Sequence, residues 1–550
     1  MSLAVRLFRS DRRCLVLIVP LALVLFSLQL GRRDLWDPDE PRTGVVTREI
    51  LQGGSWAILH DNGRPYLEKP PLYFWLAAAC SLPAHRVTEL SLRLPASLAA
   101  VLGVVCLFYL GRGLFGRRTG ALAAVALATT QDYFMEARWA HPDMLFSFFL
   151  CCACLAFHQA HRRDGAFGWL VAFYLAVGLA VLTKGPAGLV LPLAAALVFL
   201  MTAGDLRFLR RAGIVWGLPL TLVPVGVWLL AYRASSGASF PLAEALSRFA
   251  SRVTRGLHHP RPFLHLLTSL PVECLPWALL LPGAVWHTFP RRGSRSDPGT
   301  TYLYSWILVF LTLFAVSTEK RGVYLLPLLP LLALLVGRLW DAALFSWEPH
   351  PLDRVVFWFL VSALALAGGA SLVYLPRIVA EAPGLLRPAV LLAGVTGLAA
   401  LASLVAHRRA GGGAALSVFS VGLVLCYVVI VLQVLPGLDA HKSARPFCQR
   451  VSAAARESPL AIYPDYHAAY VFYAGRRIEV ILTRDGLRAF FLSADRAFCL
   501  MEEDRYDEER RLLGIDSRIV DRAKIGHRTM LLIESGAARP PAPQGGGGPG

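Results

Sequence analysis

Residues 36–75 read WDPDEPRTGVVTREILQGGSWAILHDNGRPYLEKPPLYFW and set Asp37, Asp39, Glu40, Arg42, Glu68 and Lys69 between apolar runs that read as membrane spans. Carboxylates and cations at a membrane face are expensive to hold, so their default reading is a functional site. The rest of the chain reads as a scaffold that keeps these groups at the surface and brings others to meet them.

The composition agrees with that reading. Of 550 residues, 55% are hydrophobic and 17% charged, which excludes a soluble globular protein and indicates a polytopic membrane protein. The first apolar run, Cys14 to Leu30, follows Arg6, Arg9, Arg12 and Arg13 in the manner of a signal peptide. No small-residue cleavage site follows it and many further spans do, so it is read as a first transmembrane helix entered from the cytoplasm. The net charge of +18 comes from cations in short loops, where they set topology; nucleic-acid binding is not expected. Of the ten cysteines, Cys106, Cys151, Cys152, Cys154 and Cys426 fall in apolar spans, and no CxxC pair comes with further ligands at metal spacing. Only Cys448 and Cys499 share a polar region, where a disulfide is open to them if that region is extracytoplasmic.

At about 20 apolar residues per helix, spans are expected near 14–31, 93–111, 119–135, 142–160, 167–182, 186–203, 214–232, 268–288, 301–317, 322–338, 355–375, 388–406 and 415–435. This is an all-α polytopic membrane protein of about thirteen transmembrane helices, with its termini on opposite sides. With the N-terminus inside, short inner loops carry Arg112, Arg117, Arg118, Arg162, Arg163, Arg207, Arg210 and Arg211, while short outer loops carry few cations. Two long outer segments, 32–92 and 233–267, are the exceptions; the second holds Arg248, Arg252, Arg255 and Arg261, as if the outer face handles an anion. Within the first, Thr43 to Gln52 and Pro70 to Ser81 have the character of short interfacial helices. Residues 1–438 thus form a membrane domain. Residues 439–535 turn polar, with short apolar runs at Leu460–Tyr463, Ile478–Leu482, Ala497–Met501 and Thr529–Ile533 and a helical stretch at Asp504–Leu513, indicating a small α/β domain outside the membrane. Residues 536–550 form a Pro/Gly-rich tail expected to be disordered.

In this topology the ionisable groups beside apolar spans converge on the outer side. To the six of the opening stretch are added Arg138, His141, Asp143, Lys184, His258, His259, Glu319, Lys320 and Arg321. Taken singly, each reads equally well as an interfacial snorkelling residue, Asp143 as a helix N-cap and His141 as structural. Taken together they describe a cavity of cations and carboxylates bounded by lipid, suited to an anionic lipid substrate. Arg42, Lys69, Lys184, Lys320 and Arg321 would hold a phosphate that gains charge on leaving; Asp39 would orient or deprotonate an acceptor. A transferase in a compartment without nucleotide sugars must use a lipid-linked donor. A transporter or flippase is the rival class, but no internal repeat is visible and the groups gather at one face.

Trp36-Asp37-Pro38-Asp39-Glu40-Pro41-Arg42, then Ser55-Trp56, then Tyr66-Leu67-Glu68-Lys69-Pro70-Pro71-Leu72-Tyr73-Phe74-Trp75, resembles the integral-membrane GT-C glycosyltransferases, within them the aminoarabinose lipid A transferases and the related protein O-mannosyltransferase-like enzymes. RLPASL (93–98), ARWAHPDM (137–144), LTKGPAG (182–188), HHPRPF (258–263), LPW (275–277) and STEKRGVYLLPLLP (317–330) extend the resemblance through the first 340 residues. It implies a GT-C fold with a small C-terminal periplasmic α/β domain, in a bacterial inner membrane with the active site periplasmic. The reaction implied is inverting transfer of a sugar from undecaprenyl (polyprenyl) phosphate to lipid A or a related envelope glycolipid, with protein O-mannosyl transfer as the alternative. Carried over by position, Asp39 and Asp143 are the catalytic acids; Arg42, Tyr66, Lys69, Lys184, Arg261, Lys320, Arg321 and Tyr324 bind substrate; Glu68 and His259 are ligands of a divalent metal such as zinc. Arg261 stands one place later than the pattern has its basic residue, and of the adjacent His258 and His259 only one can occupy the ligand position.

Overall fold

The computed structural model describes residues 8–535 except 255–260, 263–264, 290–296, 319, 346–350, 382, 495 and 514–516. The expected tail, 536–550, lies outside the described residues, as do His258, His259 and Glu319.

Helices lie over every apolar run, and local chemistry sets where they start and break. Asp11–Ser27 opens on Ser10, whose hydroxyl accepts the Arg13 N–H. Glu89–Phe115 opens on a capping box in which Thr88 and Ser91 satisfy each other's backbone N–H groups. Among the described residues seven helical segments are long and apolar enough to cross a membrane: Glu89–Phe115, Asp143–Arg162, Phe167–Lys184, Ile214–Ser236, Pro298–Val316, Gly322–Leu344 and a run beginning at Leu386. Asp11–Ser27 has 17 residues and Ala187–Thr202 has 16, while Leu72–Ala84 and Arg354–Ala370 are other shorter apolar helices.

Three of the expected spans are interrupted. The run expected over 119–135 splits into Arg117–Ala128 and Gln131–Glu136, because Thr129 and Thr130 turn their hydroxyls back onto the carbonyls of Val125 and Ala126. Trp277 then donates its indole N–H to the Thr129 hydroxyl and Tyr427 its phenol to the Thr129 carbonyl, pinning the break to two other helices. The run over 268–288 becomes His265–Glu273, a turn at Trp277–Leu280 and Leu281–Thr288, with Pro271, Pro276 and Pro282 along it. The run over 322–338 begins as a tight 3₁₀ stretch, Gly322–Leu328, before the helix Leu329–Phe345. The last two runs are continuous from Leu386 to Val429 but for a kink at Gly411, whose φ of 83° suits a residue without Cβ. The bundle core is aromatic and alanine-rich, with Trp306, Trp340, Tyr73, Tyr133 and Tyr302 fully enclosed.

The first loop folds as its sequence suggests, with helices Asp39–Leu51 and Leu72–Ser81 flanking a hairpin that pairs His60–Asp61 with Arg64–Pro65. Residues 460–535 carry a five-stranded sheet in the order Glu479–Val480, Leu460–Tyr463, Phe498–Glu502, Arg528–Ser535, Ser517–Ile525. Its first two pairings are parallel and its last two antiparallel. Ser517–Ile525, largely exposed and charged, is the strand whose weak apolar pattern the sequence did not reveal. The disulfide open to Cys448 and Cys499 is not formed. Cys448 packs under Leu460, Ile462, Phe498 and Leu500; Cys499 packs with Ala461, Tyr463 and Met501 on the opposite face, so the sheet itself separates two free thiols.

This region rests on the first loop. Arg48 donates to the carbonyls of Phe472 and Val471 at 2.9 and 3.1 Å, and the Asn62 amide pairs with both backbone groups of Ile478.

Candidate active site

Glu40 fixes the geometry. It is fully enclosed, and a buried carboxylate is tolerated only when its lone pairs are all engaged. Arg93 grips it in a fork, Nε to Oε1 at 2.7 Å and Nη2 to Oε2 at 2.9 Å; Arg33 adds 2.9 Å, and the N–H groups of Ala140 and Trp36 donate at 3.0 and 3.2 Å. Burial pushes its carboxyl up, but Arg93 and Arg33 prevail and hold it at about 2. Arg93 also donates to the carbonyls of Leu30, Arg33 and Asp34, so one ion pair ties the end of the first helix, the first loop and the 139–142 turn together. Arg138, the cation at that turn, is likewise structural, donating to the carbonyls of Leu25 and Leu28.

With Glu40 turned inward, its neighbour Asp39 meets a different set. One oxygen lies 2.9 Å from Arg321 Nη2 and the other 3.7 Å from Lys69 Nζ. Burial pushes the Asp39 carboxyl up, and Lys69, Arg321 and His141 outweigh it, holding it well below the usual carboxylate range. Asp143 opens the Asp143–Arg162 helix, yet its oxygens do not serve as a cap: Oδ1 pairs with Lys184, and Oδ2 lies 3.0 Å from His141 Nδ1. The other nitrogen of His141 lies 2.8 Å from Glu136 Oε2. Burial pushes the imidazole down, but the two carboxylates prevail and raise it to about 10, so it is an imidazolium. Lys184 sits 4.7 Å above the ring of Tyr324 and 5.5 Å from that of Phe146. Lys69, Arg321, Lys184 and Tyr324 therefore gather around the two expected acids.

The other expected residues lie around this centre with different partners. Arg42, one turn after Asp39, lies 3.6 Å from both Asp61 and Glu68. Tyr66 is buried in the first loop's own core with Val46, Ile50, Leu59, Phe74 and Ala78. Lys320 turns onto backbone carbonyls, that of Ser317 in its own turn and that of the distant Arg261. Arg261 is exposed, its N–H donating to Thr318. Glu68 shares its carboxylate with Arg42, a cation that competes with any metal, and among the described residues no group of three His, Cys, Asp or Glu side chains is placed to hold one.

The groups that the C-terminal region contributes carry no motif in the sequence. Tyr466 donates its phenol to Asp61, and His467 stands between Asp37 and Arg528. A guanidinium only donates, so Nε2 of His467 accepts from Arg528 at 2.8 Å and its Nδ1–H faces Asp37 at 3.4 Å. Glu136 was missed too; four places before Ala140-His141-Pro142-Asp143, its helix position carried no motif.

Residues 68–230 match the dolichyl-phosphate-mannose-protein mannosyltransferase family. The undecaprenyl phosphate-alpha-4-amino-4-deoxy-L-arabinose arabinosyl transferase of Enterobacter sp. (strain 638) is 29% identical over 337 residues, 60% of each chain. The protein of that name from Shewanella sediminis (strain HAW-EB3) is 27% identical over 85% of this chain and 86% of its own. The crystal structure of ArnT from Cupriavidus metallidurans bound to undecaprenyl phosphate superposes with a TM-score of 0.79 at 22% identity, covering 95% of this chain and 98% of that one. The chain is thus similar in sequence to these transferases and in fold to that structure over nearly its whole length. Its alignment with the Enterobacter relative spans 60% of that protein's length, and the likeness to the Cupriavidus structure is one of fold.

Proposed function

We propose that this chain is an inverting glycosyltransferase of the GT-C kind that moves a sugar, of aminoarabinose type, from undecaprenyl phosphate to lipid A at the periplasmic face of a bacterial inner membrane. In this reading the chain crosses the bilayer about thirteen times from a cytoplasmic N-terminus, residues 1–438 form the catalytic domain and 439–535 a periplasmic one. An acceptor oxygen attacks the anomeric carbon as the bond to the lipid phosphate breaks. Lys69 and Arg321 receive the charge gathering on the departing phosphate, with Arg42, Lys184, Arg261 and Lys320 around it. Tyr324 bounds the sugar, Tyr66 braces the first loop from its core, Asp143 positions Lys184, and Asp39 positions the acceptor. Glu68 and His259 offer too few donors for the expected zinc, and no step depends on it.

The observation that carries the choice of acceptor is the pairing of Asp39 with Lys69 and Arg321. A carboxylate held that far down is a poor base, unsuited to deprotonating a serine or threonine hydroxyl but sufficient beside a lipid A phosphate that is already ionised. The family matched by residues 68–230 favours the second reading, transfer to protein hydroxyls. Mass spectrometry of lipid A from cells lacking the gene, complemented with the wild type or with Asp39→Asn, separates them. A pentosamine increment restored by the wild type alone is expected. Unchanged lipid A with altered periplasmic glycoproteins would favour the second reading.

A further inference from the structure

The helices that present Asp143 and Arg93 to the candidate site run away from it. At 20 residues, Asp143–Arg162 is about 30 Å long, so its last turn and that of Glu89–Phe115 lie at the opposite membrane interface. Between those two ends is a cavity of about 550 Å³, lined by Tyr109, Arg112, Gly113, Gln159, Arg162, Arg163 and Trp169 with Leu155. Asp11 is paired with Arg112 and Arg117, and Asp164, next to Arg163 in the chain, with Arg211. Among the described residues neither Arg162 nor Arg163 has a carboxylate within ion-pair distance. Arg162 gives one N–H to the Gly113 carbonyl at 3.2 Å, leaving the rest of its five donors, and the guanidinium of Arg163 lies 5.5 Å over Trp169. Gly113 lets its helix close on the neighbouring one, since a Cβ there would lie 2.9 Å from His158 Nε2.

Cations that serve only to set topology or cap helix ends need no cavity beside them. Arginines around a concave space, with Tyr109 and Trp169 at the depth where amphipathic rings settle, instead match a lipid headgroup. We propose that this cleft binds the phosphate of an anionic phospholipid in the leaflet opposite the candidate active site. Arg162 and Arg163 grip the phosphate and Gln159 the neighbouring hydroxyls. The site is separate from the transfer reaction and does not depend on which sugar or acceptor is used.

The test is native mass spectrometry of the full-length purified chain with phosphatidylglycerol or phosphatidylcholine of identical acyl chains. Wild type should retain phosphatidylglycerol about tenfold better, and Arg162→Gln with Arg163→Gln should erase the difference. Arg207→Gln with Arg210→Gln, which removes two exposed cations outside the cavity, should leave it within about twofold. Equal retention of the two lipids, or equal loss in both double variants, would overturn the proposal. Displacement of phosphatidylglycerol by an equal concentration of inorganic phosphate would also overturn it, by making the cleft a site for soluble anions.

Discussion

Asp39 and Glu40 are adjacent acids with opposite fates, and what decides between them is Arg93, 53 residues further along the chain. The sequence places both in one motif but cannot say which is enclosed, because that depends on which arginine the fold delivers. Asp39→Asn keeps the shape and removes the charge that positions the acceptor, so it should lower transfer by about 10²-fold with little change in Tm. Glu40→Gln should do the reverse, costing about 3–5 kcal/mol of stability by leaving Arg93 and Arg33 buried without their counter-charge, measured as lost Tm or lost folded yield. Asp61 supplies a pH signature. Burial pushes its carboxyl from 3.8 up to about 6, partly offset by Tyr466 and Arg42. A group that binds its proton more tightly when folded stabilises the fold below 3.8, and that contribution is lost as the pH rises through about 6. Wild type should therefore lose stability across that window, and Asp61→Asn should flatten the curve of Tm against pH. The opposite slope would show that Arg42 dominates Asp61 instead.

At the scale of elements, the apolar runs were legible because a bilayer demands length and hydrophobicity, and helices lie over all of them. Their breaks were not. Thr129 and Thr130 end a helix because Trp277 and Tyr427 arrive from distant segments to use the freed groups. The sheet was legible where its strands are apolar, at Leu460–Tyr463 and Phe498–Glu502, and invisible at Ser517–Ile525, where exposed Arg518, Arg522 and Lys524 interrupt the apolar residues. The same limit hid Tyr466 and His467, which reach the first loop only through the docking of 440–535. Arg48 carries much of that docking through two charge-assisted bonds to backbone carbonyls. Arg48→Ala should cost about 1.5–3 kcal/mol of local stability, read as faster hydrogen exchange in the helix Ala468–Ala474 with the membrane helices unchanged. Unaltered exchange there would mean that the Asn62 pair with Ile478 suffices.

Across the whole molecule, the convergence of charge on one end of the bundle is the property on which function rests. Asp39, Lys69, Asp143, Lys184 and Arg321 come from five separated segments, and their meeting is what the sequence could only suggest. Lys69→Ala should weaken binding of the polyprenyl phosphate donor by about tenfold as well as slowing turnover, because it removes a charge partner of the lipid phosphate. Donor affinity unchanged by that substitution would put the phosphate elsewhere. The most direct test of the account is release of polyprenyl phosphate by the full-length chain in vesicles. Donor would be supplied with either lipid A or a serine/threonine peptide, for wild type and for Asp39→Asn. The account predicts release with lipid A alone and its loss in the variant. Release with the peptide, or release with lipid A that survives Asp39→Asn, would contradict it.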